Sequence, residues 1–260
     1  MPRFNISTAS YETSFIYLDS LRQIEPAFVR LREALFLFNE KYVILPNYVD
    51  NAVEKLRQFR NKFLQESYKL LNKNSEDRDI ELATEIYVTG NTYPKVWPVI
   101  VQCNEHKDDL LIENIRKRQF KQQQTSPSGT PNSPNQDALN ELKKLGDLKS
   151  SYEKARCVHS ALDLTVAAKT LRIIDRKNST VTYHSSPDST IMAADETLTA
   201  FIDLLCQFTS LSTANELSHL VAQAHYVDTF KFISLPQDVD YAFTTYRIAI
   251  EYLTSGTSFI

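Results

Sequence analysis

Glycine and cysteine are scarce in this sequence. Its 260 residues include only 4 glycines, which argues against a turn-rich β-sandwich and favours long helices joined by modest loops. The 3 cysteines, Cys103, Cys157 and Cys206, are far apart and show no Cys-x-x-Cys spacing. We therefore expect reduced, buried thiols in a cytosolic protein.

The sequence also lacks a long apolar run and a strong excess of charge. No apolar run approaches the roughly 18 residues of a membrane span, and Met1–Ser10 has no apolar core, so we expect neither a transmembrane helix nor a secretory signal. A membrane role would be peripheral. The net charge of -3 gives no broad electrostatic footprint for nucleic acid. The hydrophobic content of 42% allows a sizeable core and excludes general disorder.

The usual signatures of enzymes and metal sites are missing. The four glycines are isolated, so no phosphate-binding loop and no Gly-x-Ser-x-Gly elbow occurs. His219 and His225 are six residues apart, which points them to different faces of a helix and makes them poor partners for a metal. We expect no cofactor, no metal and no covalent chemistry.

Apolar residues recur at helical spacing along almost the whole chain. A polar segment, Gln123–Asn135, is rich in Ser, Pro, Asn and Gln, and we predict that it is a disordered linker. Gly90 is predicted to end one helix, and Tyr93–Val101, which contains two prolines, to form a short helix or turn. The first predicted helix follows Pro26. The others cover about 48–71, 77–88, 106–122, 137–149, 152–174, 194–208, 213–230 and 241–253, and a polar loop is predicted over 175–190.

Two short segments near the C-terminus bring polar groups to predicted helix starts. Ala194–Thr199 carries an acid, Asp195, and Asp240–Thr245 carries a hydroxyl pair, Tyr241 and Thr244. No other part of the sequence has so clear a polar pattern, and the functional hypothesis depends on these two segments.

These segments, in their helical context, resemble the Vps-nine (vacuolar protein sorting nine) domain. Proteins with this domain, including those of the Rabex type, are exchange factors for Rab GTPases of the early-endosomal, Rab-five-like group. The likeness covers about Tyr93–Ser255, and the helices before it are similar to the bundle that buttresses this domain only in character and position. The segments that carry the resemblance are Lys95–Gln102, Asp108–Phe120, Glu153–Val158, Ala194–Leu205, His219–Phe230 and Asp240–Leu253.

The resemblance implies an all-α fold, a layered helical bundle. An N-terminal helical bundle would cover residues 10–92 and an exchange domain residues 93–255, with the disordered loop 123–135 inside it. The protein would be a guanine nucleotide exchange factor, cytoplasmic and peripheral to endosomal membranes. It would bind no nucleic acid and need no cofactor of its own, since Mg²⁺ and GDP belong to the GTPase.

The resemblance also implies roles for individual residues. Asp195 would be an acidic finger that competes with the β-phosphate for the P-loop lysine of the GTPase and displaces Mg²⁺. The Tyr241 hydroxyl would meet the switch I backbone, and Thr244 would support it from the same helix turn. The residues expected to contact the GTPase, several of them lining an apolar groove for its switch aromatics, are Thr199, Phe201, Leu205, Tyr246 and Ile250.

Other interpretations stay open at this point. The sole role of Asp195 could be to cap a helix, and Tyr241 and Thr244 could be ordinary residues of a first turn. Thr199 stands where the family has Pro, and Asp240 where it has Gly, so a degenerate member that binds a Rab or another partner without exchange is the first alternative. A helical scaffold with no GTPase partner is the second.

Overall fold

The computed structural model describes residues 4–72, 77–125, 135–179, 193–211 and 219–256. Throughout these ranges the regular structure is helical, and the predicted all-α class is confirmed. The α-helices are α1 (Tyr11–Ser20), α2 (Glu25–Lys41), α3 (Val49–Leu70), α4 (Arg78–Thr125), α5 (Gln136–Lys143), α6 (Ser151–Ser179), α7 (Ala194–Leu211), α8 (Leu220–Phe230) and α9 (Gln237–Ser255).

Within the described ranges, none of the helices has both the length and the apolar character that crossing a bilayer requires. The predicted linker falls mostly outside these ranges: its first residues, 123–125, end α4, Asn135 precedes α5, and 126–134 are not described.

The chain divides into two compact units. The first contains Met1–Glu105, Asp147–Ala155 and Ala222–Leu235, and the second contains His106–Gly146, Arg156–Val221 and Pro236–Ile260. The sequence predicted a different division, into a helical bundle over residues 10–92 and an exchange domain over residues 93–255. That division was defined by function, and it stays a prediction.

In the first unit, aromatic side chains hold α1, α2, α3 and α4 together. The ring of Phe28 on α2 lies 5.9 Å from Phe15 on α1, 6.1 Å from Phe63 on α3 and 5.2 Å from Tyr87 on α4, measured between centroids. Pairs at such distances add stability beyond the area that they bury. The Ser10 hydroxyl accepts from the Thr13 N–H, and the Thr13 hydroxyl accepts from the Ser10 N–H, so a reciprocal cap begins α1.

The first unit also buries a charged side chain that the sequence did not identify. Lys154 is fully buried, and its ammonium lies 4.7 Å from the ring centre of Tyr93, 5.3 Å from that of Trp97 and 5.8 Å from that of Tyr226. The ammonium also donates to the Tyr93 hydroxyl at 3.3 Å. Aromatic faces attract cations, and this attraction offsets part of the cost of removing the ammonium from water.

The predicted helix end at Gly90 and the predicted short helix or turn at Tyr93–Val101 are wrong, because both lie inside α4. The helix is continuous through Pro94 and Pro98, although each internal proline removes a backbone bond and costs about 3 kcal/mol. Packing offsets this cost, because Val96 and Ile100 are buried and each such side chain contributes about 1.5–3 kcal/mol.

Gly90 has a packing role instead of a terminating one. A Cβ atom built on Gly90 would lie 2.6 Å from Cδ2 of Tyr11 and 3.2 Å from its Cβ. Since Tyr11 belongs to α1, the missing side chain allows α1 to approach α4 closely.

Other helix ends also differ from the prediction. Helix α5 ends at Lys143 and not near 149, α6 continues to Ser179 where a loop was predicted from 175, and α7 continues to Leu211. Helix α8 is described from Leu220, and the predicted start near 213 lies outside the described residues, as does most of the predicted loop after 179. Helix α9 begins four residues earlier than predicted, after Pro236.

In the second unit, polar side chains of α4 hold the ends of two other helices. Asp108 is buried, and its carboxylate accepts the Val221 N–H at 2.8 Å, so it satisfies a free donor in the first turn of α8. The Asn114 amide donates to the carbonyls of Leu253 and Thr254 at 3.1 and 2.8 Å, where α9 ends.

Candidate functional site

Helices α7 and α9 pack against each other and run in the same direction. Near their middles, the rings of Phe201 and Tyr246 meet edge to face with centroids 6.1 Å apart. Further along both helices, α4 touches each of them: Arg118 donates to the Tyr252 hydroxyl at 3.1 Å, and Gln119 donates to the Cys206 carbonyl at 2.8 Å.

The starts of α7 and α9 also face one common helix, α6. The imidazole of His159 lies 3.7 Å from the carboxylate of Asp238 in the first turn of α9. The Lys169 ammonium donates to the Glu196 carbonyl in the first turn of α7 at 3.4 Å. These two contacts lie ten residues apart on α6, about 15 Å along its axis. The parallel direction is therefore inferred from the ring contact and from the α4 contacts further along both helices.

The parallel direction brings the predicted polar residues to the same end of the pair. Asp195 precedes Phe201 by six residues and Tyr241 precedes Tyr246 by five. At 1.5 Å per residue, these intervals place the two residues about 9 Å and about 7.5 Å above the ring contact along the helix axes. Asp195 and Tyr241 thus both lie on the N-terminal side of the ring contact.

Asp195 is not a helix cap, and the alternative that it only caps α7 is wrong. The Ala193 carbonyl accepts the Thr197 N–H at 3.0 Å, so Ala193 holds the capping position and Asp195 is the second residue of the helix. The side chain of Asp195 is exposed, and its carboxylate has no hydrogen bond or ion pair with any residue that the structure describes. The positive end of the helix dipole favours a negative charge there by about 0.3–1 kcal/mol.

Thr199 is exposed on the second turn of α7, and its hydroxyl donates to the Asp195 carbonyl at 2.8 Å. The Vps-nine pattern has proline at this position. Proline has no N–H and no hydroxyl, so it would donate no hydrogen bond to the Asp195 carbonyl. The threonine therefore keeps Asp195 within a regular helical turn.

Tyr241 and Thr244 lie in the second and third turns of α9, because that helix begins at Gln237. The expectation that they open the helix is corrected, but both are exposed, Tyr241 by 49%. Residues three apart are neighbours on a helix surface, so the two share one face. The Tyr241 hydroxyl has no hydrogen bond to the part of the chain that the structure describes.

The four apolar residues predicted to line a groove are buried. Phe201, Leu205 and Tyr246 are fully buried, and Ile250 is 4% exposed. The Tyr246 hydroxyl donates to the Leu220 carbonyl at 2.8 Å, and burial raises the pKa of Tyr246 well above its ordinary value. In this structure these side chains form the core beneath the exposed polar residues, and their predicted contact with a partner stays a prediction.

One exposed residue of this face was missed by the sequence analysis. Ile248 is 47% exposed and follows Tyr241 by seven residues, which places it on the same side of α9. The spacing of Tyr241, Thr244 and Ile248 is visible in the sequence, but only the structure separates this exposed face from the buried one.

The electrostatic character of this end is acidic. Asp195 and Glu196 lie in the first turn of α7, and Asp238 and Asp240 lie in the first turn of α9. Within the described ranges, no group of three or more His, Cys, Asp and Glu side chains is arranged to hold a metal ion. The site can therefore present carboxylates to a cationic group of a partner.

No known family model matches this chain, and no solved structure is significantly similar to it. Membership of the Vps-nine family therefore stays a prediction that depends on the residues quoted above.

Proposed function

We propose that this protein is a guanine nucleotide exchange factor for a small GTPase of the early-endosomal, Rab-five-like group. The observation that carries the proposal is the parallel packing of α7 and α9. It presents a carboxylate, Asp195, and a phenol, Tyr241, toward the N-terminal end of two helices, and neither group has a hydrogen bond or ion pair with the residues that the structure describes.

In the proposed mechanism, Asp195 acts on the nucleotide site of the GTPase. Its carboxylate competes with the β-phosphate of GDP for the P-loop lysine and displaces Mg²⁺, which weakens the binding of the nucleotide. Among the described residues, Asp195 has no ion pair that would have to break first. One charge-assisted hydrogen bond contributes about 1.5–3 kcal/mol, and at about 1.4 kcal/mol per factor of ten this accelerates GDP release by roughly ten- to a hundredfold.

Tyr241 and Thr244 supply the second half of the proposed contact. Their shared face of α9 presents two hydroxyl groups, which can donate to and accept from the exposed backbone of a switch segment. Because helices hold side chains more closely than loops do, the distance between this face and Asp195 changes little on binding.

A second candidate function is binding of a Rab without exchange. Two observations favour it: the Thr199 hydroxyl ties Asp195 into a regular turn, and the exposed carboxylate of Asp240 stands beside Tyr241. A finger held within the helix reaches less far, and an added negative charge repels the phosphates of the nucleotide.

Release of a fluorescent GDP analogue from a panel of early-endosomal Rabs tests the proposal. The variants are Asp195→Asn and Tyr241→Phe, with Glu196→Gln as the matched control. Glu196 is an exposed carboxylate in the same turn of α7, so its variant has the same charge change without altering the finger. We expect wild type and Glu196→Gln to accelerate release, Asp195→Asn to lose at least about tenfold, and Tyr241→Phe to be intermediate.

Three results would distinguish the candidates. Equal losses in Asp195→Asn and Glu196→Gln would mean that total negative charge matters and not a finger. Tight binding of a nucleotide-free Rab without faster release would select the binding function. If the folded wild type neither binds nor activates any Rab, the remaining candidate is a helical scaffold with no GTPase partner.

A further inference from the structure

An open apolar groove lies between α1 and α2 in the first unit. It encloses about 970 Å³, which is within the range of ligand-binding clefts. Its apolar lining comes from both helices and from α4 beneath them. These side chains are Phe15, Ile16, Val29, Phe36, Leu37 and Tyr87.

The floor of the groove is held in place. Tyr11 stacks on Tyr87 with centroids 5.7 Å apart and planes 6° apart. The Tyr11 hydroxyl accepts from the Asn91 amide at 3.3 Å, and its ring lies against Gly90. A site whose floor is already ordered loses little conformational freedom when a partner binds.

The walls expose large apolar side chains to solvent. Ile16 and Phe36 are each 64% exposed, Leu37 is 49% exposed and Val29 is 43% exposed. Val29 and Phe36 are seven residues apart on α2 and share one face with the groove. A concentrated apolar surface of this kind marks an interaction site more often than scattered single residues do.

Among the described charged residues that line the groove, carboxylates outnumber cations by two to one. The carboxylates of Glu12 and Glu33 line it, and neither has a salt bridge with the residues that the structure describes. Burial raises the pKa of Tyr87 on the floor to about 12, while Arg32 lowers it and Asp19 raises it. Among the described lining residues the cation is Arg32, which lies 5.6 Å from the ring centre of Phe15, and the Lys149 ammonium lies 6.0 Å from the ring centre of Tyr11.

We propose that this groove, formed by α1 and α2, binds an amphipathic helix of another protein. Two helices side by side leave a furrow into which the ridge of a third helix fits. The apolar face of the bound helix would carry large aliphatic or aromatic residues to meet Ile16, Phe36 and Leu37. Its flanks would carry Lys or Arg, because the groove is bordered by the carboxylates of Glu12 and Glu33, which have no salt bridge within the described part of the chain. The inference does not depend on the proposed exchange activity.

A fluorescence-anisotropy titration with two labelled helical peptides tests this inference. Each has about 18 residues, a length of about 27 Å, and leucines at helical spacing. The first carries Lys at the polar positions and the second carries Glu. We expect the Leu–Lys peptide to bind the full chain at least about tenfold more tightly than the Leu–Glu peptide.

Variants locate the binding at the groove. Phe36→Gln should lower the affinity for the Leu–Lys peptide by about tenfold. The double variant Glu12→Gln, Glu33→Gln should reduce the ratio of the affinities for the Leu–Lys and Leu–Glu peptides. The control is Val43→Gln, which changes a side chain that is 76% exposed but does not line the groove. All four positions are exposed, so the variants should fold, as circular dichroism would verify.

Two kinds of result would overturn the proposal. The first is equal binding of both peptides, or binding that Phe36→Gln leaves unchanged. The second is self-association in light scattering that Phe36→Gln abolishes, which would assign the groove to a second copy of this chain.

Discussion

Glu85 on α4 should make the stability of this protein fall as the pH rises through neutrality. The side chain is fully buried, and burial raises its pKa from the ordinary 4.5 to about 8. The positive charge of Arg60, the backbone N–H groups of Phe232 and Ile233, and the Ser151 hydroxyl lower that pKa, but they do not offset the desolvation.

The sign follows from proton binding in the two states. Unfolded chains release the Glu85 proton near pH 4.5, whereas the folded protein keeps it until about pH 8. The stabilising contribution is therefore complete below pH 4.5 and is lost progressively up to about pH 8. At 1.36 kcal/mol per pKa unit, roughly 2–3 kcal/mol of stability is lost between about pH 5.5 and about pH 7.5.

Glu85→Gln keeps the shape of the protonated acid and cannot ionise. Relative to wild type, the variant should gain roughly 2–3 kcal/mol of stability between about pH 5.5 and about pH 7.5. Urea unfolding followed by circular dichroism at both pH values measures this difference. Glu40→Gln, the loss of an exposed carboxylate on α2, is the control and should show no such gain.

The opposite result would contradict a neutral Glu85 in the folded protein. If Glu85→Gln were destabilised at the higher pH, Glu85 would be ionised and paired with Arg60 in the folded state. Removing one partner of a buried ion pair costs about 3–5 kcal/mol, so the two possibilities differ in sign as well as in size.

Three further changes test the packing. Gly90→Ala should lose about 1–3 kcal/mol in urea unfolding, because its Cβ would overlap Tyr11; an unchanged stability would mean that α1 shifts freely. Asp108→Ala should lose about 1–2 kcal/mol by removing the acceptor at the start of α8, while Asp108→Asn should lose less, and equal losses would contradict this role. Tyr246→Phe should lose about 1 kcal/mol in thermal unfolding, since the Leu220 carbonyl loses its buried donor, and a neutral effect would show that water replaces the hydroxyl.

Helical spacing alone was enough to predict the fold class and much of the core. On α3, the predicted inward residues Val53, Leu56 and Phe63 are buried, because a 3.6-residue repeat fixes which side chains share a face. The polar residues Asp195, Tyr241 and Thr244 could also be identified, since acids and hydroxyls stand out against an apolar helical pattern, although α9 begins four residues before the predicted start.

Helix ends and buried polar groups were beyond the sequence. Gly90, Pro94 and Pro98 are local signals for a helix end, yet packing of the surrounding side chains outweighs them and α4 continues. Lysine is usually a surface residue, and only the approach of three aromatic rings from α4 and α8 makes the burial of Lys154 favourable.

The residue pattern is enough to predict that the chain is helical and that Asp195, Tyr241 and Thr244 belong to amphipathic helices with a polar edge. Three features are seen only in the folded chain: α7 and α9 are parallel, particular residues of their apolar faces are buried, and α1 and α2 leave an open groove. The difference arises because helical periodicity is a local property of neighbouring residues. The direction and contacts of two packed helices depend instead on side chains far apart in the chain, such as Gln119 with Cys206.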